Sequence, residues 1–151
     1  MTELRNAGID DCDFIASIFE GDEYEMYFAE NDTTAEEWAE RFPHFSGMEN
    51  KIILENGAPA GWLTMKLCGD KCDIGIIAVR RENVGSGIGY RAFDIAISSL
   101  PPEIKTVHLD VQKRNTHAEA FYKRYGFITV GEEMQPVGSG EQPYWNMEYY
   151  R

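Results

Sequence analysis

The 151-residue chain is poor in cysteine, containing Cys12, Cys68 and Cys72. Three thiols are too few for a disulfide scaffold, so we expect them to be reduced in a cytoplasmic protein. No stretch approaches the roughly 18 apolar residues that a membrane-spanning helix requires. The first six residues also lack the apolar core of a secretion signal, so nothing there indicates export.

Basic residues are also scarce: 26 Asp and Glu outnumber 14 Lys and Arg, and the net charge is −12. This negative charge opposes binding to nucleic acid or to an anionic membrane surface. Much of the acid falls between residues 20 and 40, where it fits a cationic substrate and also fits a solvated helical surface. The histidines, His44, His108 and His117, have no metal-ligand spacing, so no metal site is expected.

What the chain does contain is a glycine-rich turn between an apolar strand and an amphipathic helix. Residues 76–79 form an apolar run typical of a buried strand. Gly85, Gly87 and Gly89 follow, and Pro101 stops the helix that comes after them. Glycine lets the backbone approach an anion, and the first N–H groups of a helix point toward it. The stretch therefore predicts a site for a phosphorylated ligand.

The order of the apolar patterns predicts an α+β fold in a single domain over residues 1–151. A short strand and two helices come first. An antiparallel meander between Lys51 and Val79 follows, and Asn56-Gly57 is a strong hairpin-turn signal within it.

The second half of the chain alternates again between strand and helix. Thr106–Val111 alternates as a strand, and Asn115 begins a helix that Gly126 can end. Two closing strands are expected, with a loop over residues 134–143 between them. Together these elements predict a mixed, mostly antiparallel sheet of about seven strands flanked by about four helices.

One interpretation of the glycine-rich turn is a dinucleotide site. The segment from Gly87 to Ala92 satisfies the pattern G-x-G-x-x-G/A, and Asp110 lies about 20 residues further on, as a ribose-binding acid should. The context opposes this interpretation, because Arg80–Val84 separate the strand from the glycines and an antiparallel meander precedes them.

A stretch further along the chain resembles the second signature block of the GNAT N-acetyltransferases. The matching residues are Val111, Asn115, Ala118, Phe121-Tyr122 and Gly126-Phe127. The glycine-rich turn resembles the first block, with Val79 at the strand end and Gly87-Ile88-Gly89 at the helix start. The order of elements also resembles the GNAT fold along nearly the whole chain. The chain departs from the family pattern at Arg81, where proline is frequent, and at Val84, where arginine or glutamine is usual.

The resemblance implies an N-acyltransferase that moves an acetyl group from acetyl-CoA to a primary amine by direct attack. It places the pantetheine arm along the backbone of Ile77, Ala78 and Val79, with Asn115 and Tyr122 facing the cofactor from the other side. The pyrophosphate would rest on the amides of Val84, Gly85, Ser86, Gly87, Ile88 and Gly89. Amides at a helix N-terminus can hold an anionic coenzyme even on an acidic protein.

By the same resemblance, Tyr122 is the general acid that protonates the leaving thiolate, and Asp73 is the general base that deprotonates the amine. A purely structural role is open for both, since Tyr122 lies on the apolar stripe of its helix and Asp73 lies near a strand end. Glu20, Glu25 and Glu148 are other carboxylates that can serve as the base.

The acceptor site is expected among the first two helices and the late loop, with Tyr24, Glu25 and Tyr27 as candidate substrate-binding residues. The acid-rich first third favours a small cationic molecule or a peptide amine as acceptor. Because Val84 departs from the family pattern, a non-catalytic acyl-CoA-binding module of the same fold is the alternative. A monomer and a homodimer are both compatible with the sequence.

Overall fold

A computed structural model of the protein describes residues 1–19, 35–41, 47–137 and 139–151. Seven strands form one sheet in the order β1-β2-β3-β4-β5-β7-β6, and all neighbours are antiparallel except β4 and β5. The strands are β1 Thr2–Asn6, β2 Glu49–Glu55, β3 Ala58–Cys68, β4 Lys71–Val79, β5 Thr106–Gln112, β6 Ile128–Val137 and β7 Gly140–Tyr150. The helices are α1 Cys12–Ile18, α2 Ala35–Arg41, α3 Ile88–Ser98 and α4 Thr116–Tyr125. The predicted fold class is confirmed.

The sheet is covered on both faces, which explains the apolar character of its middle strands. On one face, Trp38 of α2 and Phe19 pack against Trp62 of β3, with the two indole rings 5.1 Å apart. On the other face, Phe93 of α3 lies in a larger core that includes Leu63 of β3. Adjacent β3 residues thus alternate between two buried layers, as expected for a central strand. No helix in the described ranges is long and apolar enough to cross a membrane.

The first and third helices show how local contacts shape their ends and faces. Asp11 precedes α1, and its carboxylate accepts the Gly8 N–H and binds Arg5 at 2.8 Å. The buried residues of α3 include Phe93 and Ile97. The buried face of α3 is wider than one row of residues because the helix packs against the sheet and against aromatic residues of α4 at once.

The loop predicted over residues 134–143 is wrong, because most of these residues extend β6 and β7. The two strands pair from Ile128↔Glu148 to Val137↔Gly140. The sequence Gly138-Ser139-Gly140 is the signal that predicted a loop. Pro136 is tolerated because β6 is the edge strand, and the carbonyl oxygen of Pro143 accepts the N–H of Lys113 at 2.9 Å.

β4 and β5 pair over only three residues before they separate. Lys71, Cys72 and Asp73 of β4 face Thr106, Val107 and His108 of β5, and no further pairs follow. Beyond that point β4 continues along β3, and β5 continues along β7. The separation opens a gap in the middle of the sheet.

A β-bulge in β4 lies at the start of this separation. Thr64 pairs with Ile76 and Met65 with Ile74, so Gly75 is an extra residue without a partner on β3. The buried Thr64 hydroxyl accepts the N–H of Ile76 at 3.0 Å. A Cβ at Gly75 would lie 2.6 Å from that hydroxyl oxygen, so the tight approach requires glycine.

We expect Thr64→Val to destabilise the protein by about 1–3 kcal/mol, because it leaves the partly buried Ile76 N–H without an acceptor. Thr64→Ser is the matched control, since it retains the hydroxyl. Urea unfolding of both variants measures the difference. Equal losses in the two variants would show that the hydrogen bond does not stabilise the bulge.

Candidate active site

The gap between β4 and β5 exposes one edge of β4. Ile77, Ala78 and Val79 pair with β3 on the other edge. In the described part of the chain, no strand pairs with residues 74–78 on the β5 side. A linear group with amide hydrogen-bonding functions can therefore add to this edge in the manner of a further strand. These are the residues for which the sequence predicted contact with a pantetheine arm.

The glycine-rich turn follows β4 and leads into α3. A 3₁₀ turn over Arg81–Asn83 comes first, and Gly85 and Gly87 then adopt positive φ values of 83° and 86°. The N–H groups of Val84 and Ser86 are used within the loop, by the carbonyl oxygens of Arg81 and Asn83.

Two glycine amides of this loop are left for an external acceptor. Among the described residues, the N–H groups of Gly85 and Gly87 have no hydrogen-bond partner. The first amides of α3, at Ile88 and Gly89, belong to the N-terminal turn, where helical N–H groups lack an intrahelical acceptor. These donors and the positive end of the helix dipole suit a pyrophosphate. Of the six predicted amides, those of Val84 and Ser86 donate within the loop, and the Ile88 N–H donates to the Ser86 hydroxyl oxygen at 3.4 Å. The amides of Gly85, Gly87 and Gly89 are the ones left for an anion.

Basic side chains at the ends of β4 and β5 already have partners. Arg80 lies 3.3 Å from Glu82, and its guanidinium group covers the ring of Phe14. Lys113 binds Glu132 at 2.5 Å and lies over the ring of Trp145. The side chain of Val84 is 48% exposed at the position where the family pattern has arginine or glutamine. The loop therefore offers backbone N–H groups to an anion in place of a side chain at that position.

Tyr122 lies on α4 within an aromatic cluster. Its ring is 5.4 Å from Phe121 and 5.9 Å from both Phe93 and Phe127, centroid to centroid. Burial raises the pKa of the Tyr122 phenol, so the hydroxyl is protonated at neutral pH. Within the ranges that the structure describes, this hydroxyl has no hydrogen-bond partner. The ring is thus held rigidly, and its O–H remains available as a donor.

Asn115 has a structural role that the sequence interpretation anticipated only in part. It is the N-cap of α4, and its Oδ1 accepts the N–H of Ala118 at 3.2 Å. Its side-chain amide nitrogen remains available to a ligand, since Ala118 uses only the oxygen.

Asp73 is the last residue of β4 that pairs with β5. Its side chain lines a cleft of about 470 Å³. The cleft is lined by Lys71, Asp73, Ile74, His108, Leu109, Asp110 and Glu148. Its charged residues come from three neighbouring strands. A carboxylate-rich cleft of this kind suits a cationic group.

His108 connects the carboxylates on the β5 side of the cleft. Its Nδ1 lies 3.2 Å from Glu148 and its Nε2 lies 3.0 Å from Asp110. The sequence analysis considered His108 only as a metal ligand and did not predict its contacts with Asp110 and Glu148. Alternation along β5 would have placed His108 and Asp110 on one face, but Glu148 joins them only through the pairing of β5 with β7. In the described ranges, no group of three His, Cys, Asp or Glu side chains could hold a metal ion.

Tyr24, Glu25 and Tyr27, the predicted substrate-binding residues, lie outside the described residues, as does Glu20. The structure therefore brings together Asp73 and Glu148 among the carboxylates that the sequence analysis considered as the base.

Comparison with known proteins identifies the family. The family model described as Acetyltransferase (GNAT) family matches residues 12–127, so the chain belongs to the GNAT acetyltransferases. No curated protein sequence gives a significant match.

Solved structures show the same fold. Spermidine N-acetyltransferase from Vibrio cholerae, in complex with CoA and spermine, is 17% identical with a TM-score of 0.78, covering 99% of this chain and 95% of that chain. The aminoglycoside acetyltransferase AAC(6′)-Ib in complex with coenzyme A is 17% identical with a TM-score of 0.80, covering 100% and 95%. The ribosomal-protein-S18-alanine N-acetyltransferase from Escherichia coli is 19% identical with a TM-score of 0.73, covering 99% and 94%.

We expect Asn115→Ala to lower the free energy of unfolding by about 1 kcal/mol, because α4 loses its cap. Asn115→Ser keeps an oxygen acceptor without adding charge and should retain the stability. Thermal unfolding tests this part, and equal losses in both variants would contradict it. Calorimetry with coenzyme A then tests the amide nitrogen, because a contact through that nitrogen predicts that Asn115→Ser weakens binding at unchanged stability.

Proposed function

We propose that this single-domain protein transfers an acetyl group from acetyl-CoA to a primary amine by direct attack. The observation that carries the proposal is the separation of β4 from β5 after Asp73. The gap is bordered by the phosphate-binding turn at the end of β4 and by an acidic cleft where the two strands are still paired. A donor thioester and an acceptor amine can therefore meet across β4.

The donor is held mainly by backbone groups. The amides of Gly85, Gly87 and Gly89 bind the pyrophosphate, joined by the Ile88 amide once it leaves the Ser86 hydroxyl. The free edge of β4 binds the pantetheine arm. When bound, acetyl-CoA supplies an activated acyl group. The backbone near Val79 then donates to the thioester carbonyl oxygen, which gains negative charge as the amine attacks.

The chain must also move two protons. Asp73 takes the first from the ammonium group, directly or through a water molecule, because an amine with a pKa near 10 is protonated at neutral pH. The amine lone pair then forms the C–N bond, and the C–S bond breaks with its electrons on sulfur. Tyr122 donates a proton to that sulfur and regains one from the nitrogen of the new amide.

A small cationic molecule fits the acceptor side best. Asp73, Asp110 and Glu148 place three carboxylates along one cleft, opposed by Lys71 and His108. Two of the similar structures are acetyltransferases for cationic amines, a spermidine enzyme and an aminoglycoside enzyme. Another acts on a protein alanine, so a peptide amine is the competing acceptor.

The test is release of free thiol from acetyl-CoA in the presence of spermidine, ribostamycin or a peptide with an N-terminal alanine. Turnover of either cationic molecule in preference to the peptide supports the proposal. Calorimetry with coenzyme A and with NAD⁺ separates the alternatives. Coenzyme A binding without turnover of any amine would establish a non-catalytic binding module, and binding of NAD⁺ alone would establish a dinucleotide site.

We expect Tyr122→Phe to lower kcat by about 10²–10³ without abolishing turnover. Proton transfer from tyrosine to a thiolate is uphill by roughly 2 kcal/mol from the ordinary pKa values, and burial of Tyr122 adds to this, so the thiolate can also leave unassisted. Tyr125→Phe is the matched control, because it removes a hydroxyl from the same helix that is bonded to Asp94. Wild-type kcat in Tyr122→Phe, with unchanged coenzyme A affinity, would rule out the acid role.

A further inference from the structure

We propose that His108 is the proton relay of the reaction, receiving the proton of the acceptor amine and passing it to solvent, with Asp110 and Glu148 as its positioning residues. The inference rests on the proposed acetyl transfer and adds to it a residue that neither the sequence motifs nor the family comparison assign. It is carried by an imidazole ring held at both nitrogens, at the point where β4 and β5 part.

The pairing of β4, β5 and β7 places His108 beside Asp73, the predicted general base. Asp73 of β4 is the register partner of His108 on β5, and His108 is the register partner of Glu148 on β7. Neighbouring strands lie about 4.8 Å apart, so adjacent partners on one face are in reach of each other or of one bridging water. Both His108 and Asp73 line the cleft, and the His108 side chain is 28% exposed there.

The hydrogen bonds of the ring are complete only when His108 is doubly protonated. A neutral imidazole donates through one nitrogen and accepts through the other. Here each nitrogen faces a carboxylate oxygen, at 3.0 Å for Asp110 and 3.2 Å for Glu148, and an ionised carboxylate can only accept. Each ring nitrogen therefore has a carboxylate oxygen placed to accept its N–H bond when the ring carries both protons.

Neutral donors hold the two carboxylates in place. Asp110 accepts from the side-chain amides of Asn146 at 2.7 Å and Gln135 at 2.9 Å. Glu148 accepts from the Tyr150 hydroxyl at 2.8 Å, and this bond, with smaller contributions from His108 and Lys71, lowers the pKa of the Glu148 carboxyl. Both carboxylates are thus fixed in position beside the ring.

Histidine is the side-chain type that changes charge near neutral pH. The charged groups that face His108 from the described strands are Asp73 and Lys71 on β4, Asp110 on β5 and Glu148 on β7. Glu133 on β6 joins the network through Gln135 and Asn146. The cleft contains one histidine among carboxylates and a lysine, and an imidazole nitrogen can serve as either a proton donor or a proton acceptor.

The steps balance as follows. An N–H bond of the ammonium breaks and the proton passes through Asp73 or a water to the His108 ring, which becomes an imidazolium and later loses this proton to solvent. The freed lone pair forms the C–N bond, and the C–S bond breaks with its electron pair on sulfur. The second proton of the nitrogen reaches sulfur through Tyr122, so the reaction releases one proton overall.

The experiment compares His108→Gln with the wild type, using whichever amine of the panel above is acetylated. His117→Gln is the matched control, because His117 is exposed on α4 and has no part in the cleft. We expect His108→Gln to lower kcat/KM at pH 7 by on the order of 10²-fold, with coenzyme A affinity and thermal stability unchanged. Its activity should keep rising with pH toward the pKa of the amine itself, near 10, whereas the wild type and His117→Gln level off earlier.

A second variant tests the chemistry apart from the fold. Added imidazole should restore activity to His108→Gly at least tenfold, because the cleft can admit a free imidazole, and it should leave His117→Gly unchanged. A wild-type pH profile in His108→Gln overturns the relay and leaves the acetyltransferase function standing. Failure of imidazole to rescue His108→Gly, in protein that still binds coenzyme A, also overturns the relay. If the wild type acetylates no amine, the proposed function fails and the relay fails with it.

Discussion

The candidate site depends on one constraint, the three-residue limit on pairing between β4 and β5. A parallel pair normally continues as far as both strands extend, because each unpaired N–H and C=O group in the interior of a sheet is costly. Here β5 continues with β7 while β4 continues with β3, so each strand retains one partner. The unpaired inner edges define a slot whose polar groups require a ligand or water.

Backbone amides and side-chain carboxylates at this slot have opposite electrostatic effects. The chain is strongly acidic, which disfavours an anionic coenzyme at long range. Glycine amides at the start of α3 act at short range, where a helix dipole and directed N–H groups outweigh a screened field. The carboxylates of the cleft act on the other reactant with the opposite sign. In the proposed reaction, the negative charge therefore attracts the acceptor while the local amides hold the donor.

Local signals in the sequence predicted much of the fold. Asn56-Gly57 forms the expected turn with positive φ at both residues, and the glycines before α3 adopt the conformation that only glycine accepts readily. The predictions were poorer where distant strands decide the outcome. Residues 134–137 and 140–143 are strand because they pair with each other, from Met134↔Pro143 to Val137↔Gly140, and no local pattern shows this. The contact between His108 and Glu148 could not be predicted for the same reason, because 40 residues separate them in the sequence.

The bulge at Gly75 has a consequence for which way each residue of β4 faces. Strict alternation would put Asp73 and Val79, six positions apart, on the same face of the sheet. With one residue looped out, Ile76 and Ala78 pack with α1 and α2, whereas Ile77 and Val79 pack with the core under α3. The alternation of side chains therefore shifts by one residue at the bulge, and Asp73 and Val79 lie on opposite faces of the sheet. Deletion of Gly75 would restore strict alternation, so the residues on one side of the bulge would move to the opposite face of the sheet.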